Sequence, residues 1–178
     1  MPETVAIIGA GPLGRSLALR AARAGFRVLL EDVMPSNLRH ARERIRSELS
    51  ADALMGVAFV STVEDAVRSA DLIIDCVPDE LESKLEILWL LDRMAPPHAV
   101  FATPTTNLSI ADLASCTYRP GQCVAIAAEP DALAEAAGPG IAIRTTSATL
   151  PETVALLDRF WRALGLTPAF DSASDPPQ

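Results

Sequence analysis

No stretch of these 178 residues approaches the uninterrupted apolar span of about 20 residues that a membrane helix requires. The opening MPETVAIIG has neither a basic leader nor a long apolar segment, so a cytoplasmic chain is the expectation. Cysteine is scarce and odd in number. Cys76, Cys116 and Cys123 lack metal-ligand spacing and sit in or near apolar runs, which points to buried reduced thiols with no disulfide framework and no metal site. Positive charge is also short: 15 Lys and Arg face 23 Asp and Glu, a net charge of -8. That balance excludes a broad electrostatic attraction to nucleic acid or to an anionic membrane, and leaves a small molecule as the expected partner.

What is present is apolar residue in quantity, 49% against 21% charged, enough for one well-buried core. Short β-branched runs alternate with helical patterns. The pattern predicts strands at Val5–Ile8, Val28–Glu31, Val57–Val60, Leu72–Asp75, Val100–Ala102, Val124–Ala127, Ile141–Arg144 and Thr167–Phe170. Helices are expected near Leu13–Ala24, Ser36–Leu49, Val63–Ser69, Leu81–Met94, Ser109–Ala114 and Glu152–Leu164. The class is therefore α/β, a mostly parallel sheet covered on both faces. One domain spans residues 1–170, and the tail DSASDPPQ, residues 171–178, reads as flexible.

Ser36 is a candidate cap for the second helix, while Pro151 and Glu152 suit the first turn of the last. RHARERIR, from Arg39 onward, reads as the solvated face of a helix whose Leu38, Ala41, Ile45 and Leu49 turn inward. The helix LESKLEILWLLDRM carries two apolar arcs, one of Leu81, Leu85, Leu88 and Trp89, the other of Ile87, Leu90, Leu91 and Met94. Only Glu82, Glu86 and Arg93 mark a wet face. The arrangement suits a helix lodged between the sheet and another helix, one that contributes to a homodimer, or one that meets a neighbouring domain.

VAIIGAGPLGRSLA, Val5 to Ala18, runs a strand through three glycines into a helix. Gly9 permits a tight turn, Gly11 lets a pyrophosphate approach the backbone, and Gly14 allows close packing of helix on strand, with Pro12 and Leu13 in the first turn. The second strand ends in Asp32, about 20 residues beyond the glycines, where a carboxylate accepts hydrogen bonds from an adenosine ribose. That acid repels a 2′-phosphate, so NAD is the expected cofactor rather than NADP, although Arg39 argues the other way. Glu31 is a weaker ribose candidate because strand alternation turns it to the opposite face.

With these glycines and Asp32 come ADLIIDCVPDELESK, HAVFATPTTNLSIADLA and TVALLDRFWRALGLTP, all in order. On these segments the chain resembles the amino-terminal NAD-binding domain of the 3-hydroxyacyl-CoA dehydrogenase family, a Rossmann-type doubly wound fold of fatty acid metabolism. The resemblance covers nearly the whole sequence. It implies cofactor contacts from Val77, Pro78, Lys84 and Thr105, acids at Asp75 and Asp79, and a substrate-oxygen contact from Thr106, in a loop with Pro104 and Asn107 where the family has asparagine and serine.

The family's catalytic histidine falls on Ile126 or Ala127, depending on the alignment, and neither accepts a proton. The glutamate that orients that histidine belongs in PGIAIR, which offers no carboxylate. Glu129 is a candidate substitute base, against the plainer reading of a solvated loop acid. His98 precedes the fifth strand at the wrong edge of the sheet, and His40 lies on a helix surface. The link from the second helix to the third strand is shorter than the family's, where it helps hold coenzyme A. The family's carboxyl-terminal helical domain is not expected within these residues. Three readings stand: an NAD(H)-binding protein with weak or no dehydrogenase activity; an active dehydrogenase on a 3-hydroxyacyl-CoA or related hydroxy acid; and an NAD-sensing regulatory or assembly module.

Overall fold

A computed structural model of the protein describes residues 3–128 and 140–172. Its strands are β1 (Thr4–Ile8), β2 (Arg27–Glu31), β3 (Val57–Val60), β4 (Leu72–Asp75), β5 (Val100–Pro104), β6 (Cys123–Ile126), β7 (Gly140–Thr145) and β8 (Thr167–Ser172). The helices are α1 (Pro12–Arg23), α2 (Pro35–Glu48), α3 (Ala51–Met55), α4 (Val63–Val67), α5 (Leu81–Met94), α6 (Ile110–Ser115) and α7 (Pro151–Ala163). The strands form one eight-stranded sheet in the order β3-β2-β1-β4-β5-β6-β7-β8. Every neighbouring pair is parallel except β6 with β7.

Strand alternation divides the core in two. Val5, Ile7, Val28, Leu30, Leu72 and Ile74 meet α1, α2 and α7 on one face, whereas Ala6, Ile8, Leu29, Ile73 and Phe101 meet α4, α5 and α6 on the other. On the first face Trp161 and Phe160 pack edge to face with centroids 4.9 Å apart. Each helix crossover returns the chain to the same end of the sheet. The order reverses at β1, which lies between β2 and β4, so the connections that leave these two paired strands run to opposite faces of the sheet and leave a crevice above their carboxyl ends.

Local differences from the sequence reading have local causes. Residues between Leu49 and Val57 form the short helix α3, started by Ser50, whose hydroxyl accepts from the Ala53 N–H. The second helix begins at Pro35 with Met34 at its cap position and no side-chain cap, so Ser36 does not play that part. Pro151 and Glu152 do open α7. Asp171 and Ser172 belong to β8, paired with Arg144 and Thr145, and so are not tail; residues 173–178 lie outside the described residues. Of the thiols, Cys123 is buried, Cys76 is half-buried and Cys116 is exposed, which corrects the expectation for Cys116. Among the described residues no helix is long and apolar enough to cross a membrane.

Trp89 also departs from expectation. Ile87, Leu88 and Leu91 dock α5 on the sheet, but Trp89 stands 65% exposed on its outer side. The helix is covered on one face only.

Candidate functional site

The chain leaves β1 at Ile8 and turns at Gly9, whose φ of 103° lies in the left-handed region that side chains disfavour. The turn is tied on both sides: the Gly9 N–H donates to the Glu31 carbonyl at 2.8 Å, and the Cys76 N–H to the Ile8 carbonyl at 2.7 Å. A Cβ on Gly14 would lie 1.8 Å from the Gly9 carbonyl oxygen, so only glycine lets α1 sit this close to the loop. Gly11 differs. A Cβ there would meet nothing within 4 Å, because this residue faces open space. It caps α1 without a side-chain hydrogen bond, Pro12 follows at the first helical position, and no acid occupies the first turn. The leading N–H groups and the positive end of the helix thus face the opening, as a diphosphate requires. Leu13 beside them is half-buried against the core.

Asp32, at the edge of that opening, is held in place. Its carboxylate accepts from the Ala10 N–H at 2.9 Å, the Met34 N–H at 2.8 Å and the Asn37 amide at 3.1 Å. A carboxylate has about four acceptor sites, so capacity remains for a ribose hydroxyl. Glu31 is buried on the other face, as alternation predicts. Desolvation, reinforced by the neighbouring charge of Asp32, pushes its carboxyl up to about 7.

Beyond the glycine loop, at the carboxyl ends of β4, β5 and β6, lies a cleft of about 160 Å³ lined by Leu13, Cys76, Val77, Asp79, Thr105 and Thr106 among others. Pro78 is exposed at its rim. Pro104 also borders the cleft, but it is the last residue of β5, paired with Ile126, so the family-like loop begins only after it. Thr105 is buried: its N–H donates to the Ile126 carbonyl, and its hydroxyl accepts from the Leu108 N–H. Thr106 is exposed, with its N–H donating to Asp79 at 3.1 Å. Arg144 on β7 braces this loop, donating to the Thr105 carbonyl at 2.8 Å and the Leu108 carbonyl at 3.1 Å.

Lys84, the only lysine in the sequence, has no exposed surface. Its ammonium lies 2.6 Å from the Asp75 carboxylate and also donates to the Asp75 carbonyl. Burial pushes the Asp75 carboxyl upward, and the Lys84 charge pulls it back. The pair sits behind the cleft rather than in it. Lys84 therefore reaches the cofactor side only through Asp75. Burial also pushes the Cys76 thiol up, well away from thiolate formation.

Among the described residues, the two positions to which the resemblance assigns a proton acceptor hold none. Ile126 has no exposed surface and borders the cleft, and Ala127 is spent on a main-chain hydrogen bond to the Ala142 carbonyl. Glu129 lies outside the described residues. His98 is exposed at the opposite edge of the sheet, 3.1 Å from Asp71, and His40 is exposed on α2. Among the described residues no group of His, Cys, Asp or Glu is arranged to hold a metal ion.

The sequence reading missed Asn37 and Arg144. Asn37 lies five residues past Asp32, in the first turn of α2, and Arg144 is the lone charge in an apolar strand, a signal for a partner on a neighbouring loop. A sheet of this order carries ligands at its switch point, and with the glycine turn there the class it defines is a dinucleotide-binding α/β domain.

The family follows from comparison. A profile described as "3-hydroxyacyl-CoA dehydrogenase, NAD binding domain" matches residues 4–169, and the chain belongs to this family, whose cofactor is NAD. It is 30% identical over 135 residues to a probable 3-hydroxybutyryl-CoA dehydrogenase of Bacillus subtilis, covering 68% of this chain and 47% of that protein. It is also 30% identical over 180 residues to the 5-formyl-3-hydroxy-2-methylpyridine 4-carboxylate 5-dehydrogenase of Mesorhizobium japonicum, covering 94% and 57%. The crystal structure of (S)-3-hydroxybutyryl-CoA dehydrogenase from Ralstonia eutropha superposes with a TM-score of 0.88 at 21% identity, covering 98% of this chain and 65% of that one, a likeness of fold. The chain thus spans about half the length of the curated relatives it matches.

Proposed function

We propose that the chain binds NAD(H) in the glycine cradle and, by itself, has weak or no 3-hydroxyacyl-CoA dehydrogenase activity. The cradle fits the cofactor: Gly11 leaves space where a diphosphate must approach, and Gly9 and Gly14 let the helix come close behind it. Asp32 would take the adenosine ribose, with Val77, Pro78 and Thr105 around the nicotinamide half and Lys84 acting from behind by fixing Asp75. When bound, NAD supplies a hydride acceptor. Thr106 offers a hydroxyl to a substrate oxygen at the mouth of the cleft.

The observation that carries the reading is the apolar pair Ile126 and Ala127, which stands where the family places its base. A missing base removes a factor of roughly 10² to 10⁴. The substrate class suggested by the relatives' names is a 3-hydroxyacyl-CoA or a small hydroxy acid. Three free thiols suit a reducing cytoplasm, and self-association through α5 completes the reading.

Calorimetry with NADH and NADPH tests the binding half, with NADH expected to bind the more tightly. Reduction of acetoacetyl-CoA tests the other half: turnover is expected to be slow and to fall as pH rises, because in this direction the missing histidine would donate the proton to the substrate oxygen and solvent must supply it instead. Efficient turnover near pH 7 would overturn the weak-activity reading and leave the binding half standing.

A further inference from the structure

The outer side of α5 is unlike the rest of the surface. Glu82, Glu86, Trp89 and Arg93 follow one another at helical spacing along its exposed side, acids toward the amino-terminal end and the cation toward the carboxyl-terminal end. Beside this stripe runs a groove of about 600 Å³ between α5 and the segment after α6, walled by Trp89, Leu90, Cys116 and Tyr118. Tyr118 is 98% exposed, yet its backbone is pinned: its N–H donates to Asp92 at 2.7 Å, and Asp92 is in turn paired with Arg119 at 2.8 Å. Arg119 also donates to the Pro96 carbonyl and lies over the Phe101 ring. Two large aromatic side chains are therefore held out to solvent on a rigid platform, whose ordering precedes any contact.

We infer that this face is a two-fold interface between two copies of the chain, with their α5 helices antiparallel and crossing at Trp89. This deepens, and rests on, the self-association proposed above, and it is independent of cofactor binding. The charge order selects the partner and the direction. Trp89 lies three residues after Glu86 and four before Arg93, so an antiparallel crossing there sets Arg93 against Glu86 of the partner subunit, and the same contact recurs by symmetry. Each such pair sits about 5 Å from the axis along the helix, given a rise of 1.5 Å per residue. A parallel arrangement would place acid on acid and cation on cation. Trp89 then enters the groove of the other copy, beside Tyr118 of the partner subunit. A buried tryptophan flanked by charge pairs at the rim is the usual form of an interface anchor.

Sedimentation velocity on the whole chain, from micromolar to near-millimolar concentration, reads the association. The expected result is a dimer that Trp89→Ala weakens by at least about 30-fold, the factor that corresponds to an anchor residue. Glu86→Arg alone and Arg93→Glu alone are each expected to weaken it by roughly tenfold or more, because each sets like charges together twice. The double reversal, Glu86→Arg with Arg93→Glu, restores opposite charges and is expected to recover most of the affinity. Both side chains are exposed, so NADH affinity and the melting temperature of the dilute, monomeric protein should be unchanged in these variants. A dimer indifferent to all four variants would overturn this geometry while leaving self-association intact. A monomer at every concentration would overturn both.

Discussion

The ammonium of Lys84 and the carboxylate of Asp75 stand 2.6 Å apart with essentially no exposure on either side chain. Removing one partner leaves the other as an uncompensated buried charge. Lys84→Met is therefore expected to cost about 3–5 kcal/mol, read by urea unfolding, whereas replacing both residues with apolar ones should cost much less. Because Lys84 is the only lysine, an amine-reactive reagent on the native protein should modify the amino terminus alone and reach Lys84 only on unfolding.

Glu31 sets a pH dependence. Its carboxyl titrates near 7 in the folded chain against an ordinary 4.5, because burial and the neighbouring Asp32 disfavour the charge. The folded state holds this proton more tightly than the unfolded one, so stability falls as pH rises from about 4.5 through 7 and the penalty is complete above that window. Glu31→Gln should raise stability by roughly 1–3 kcal/mol at pH 8 and change it little near pH 4. Melting curves at the two pH values decide it, and equal shifts would count against the assignment.

Gly11 and Gly14 separate binding from folding. The opening above Gly11 accepts a Cβ, so Gly11→Val should leave a folded protein and abolish NADH binding. Gly14→Ala drives its methyl into the Gly9 carbonyl, so loss of soluble protein, or destabilisation by several kcal/mol, is expected. Thr106→Ala should change NADH affinity little. Equal losses at Gly11 and Thr106 would indicate a different pocket.

Arg144 reaches from β7 to two carbonyls of the threonine loop. Arg144→Met should cost about 1.5–3 kcal/mol and speed amide exchange within residues 105–108, leaving exchange in β1 and α1 unchanged. Uniform acceleration would mean the arginine supports the whole sheet instead.

Much of this was legible in the sequence because the signals are local. Each predicted strand is present within a few residues, since β-branched runs between turn residues have no better conformation than a central strand. The three glycines were readable for the same reason, as their demands arise within six residues of chain. The short helix α3 was not, because five residues carry too little periodicity to distinguish a helix from a loop. Nor could the fate of Trp89 be read from a helical wheel, which gives two apolar arcs but not the number of neighbours available to cover them.

The sequence by itself determined the order of strands and helices and the glycine turn with the acid Asp32 just past the second strand. These depend on residue identity and near-neighbour spacing. The tertiary structure decided that Lys84 lies sealed against Asp75, that Arg144 braces a loop 36 residues away in sequence, and that one aromatic face of α5 is left open. Such facts depend on which surfaces the sheet brings together, and burial is a property of the packed assembly of elements rather than of any one segment.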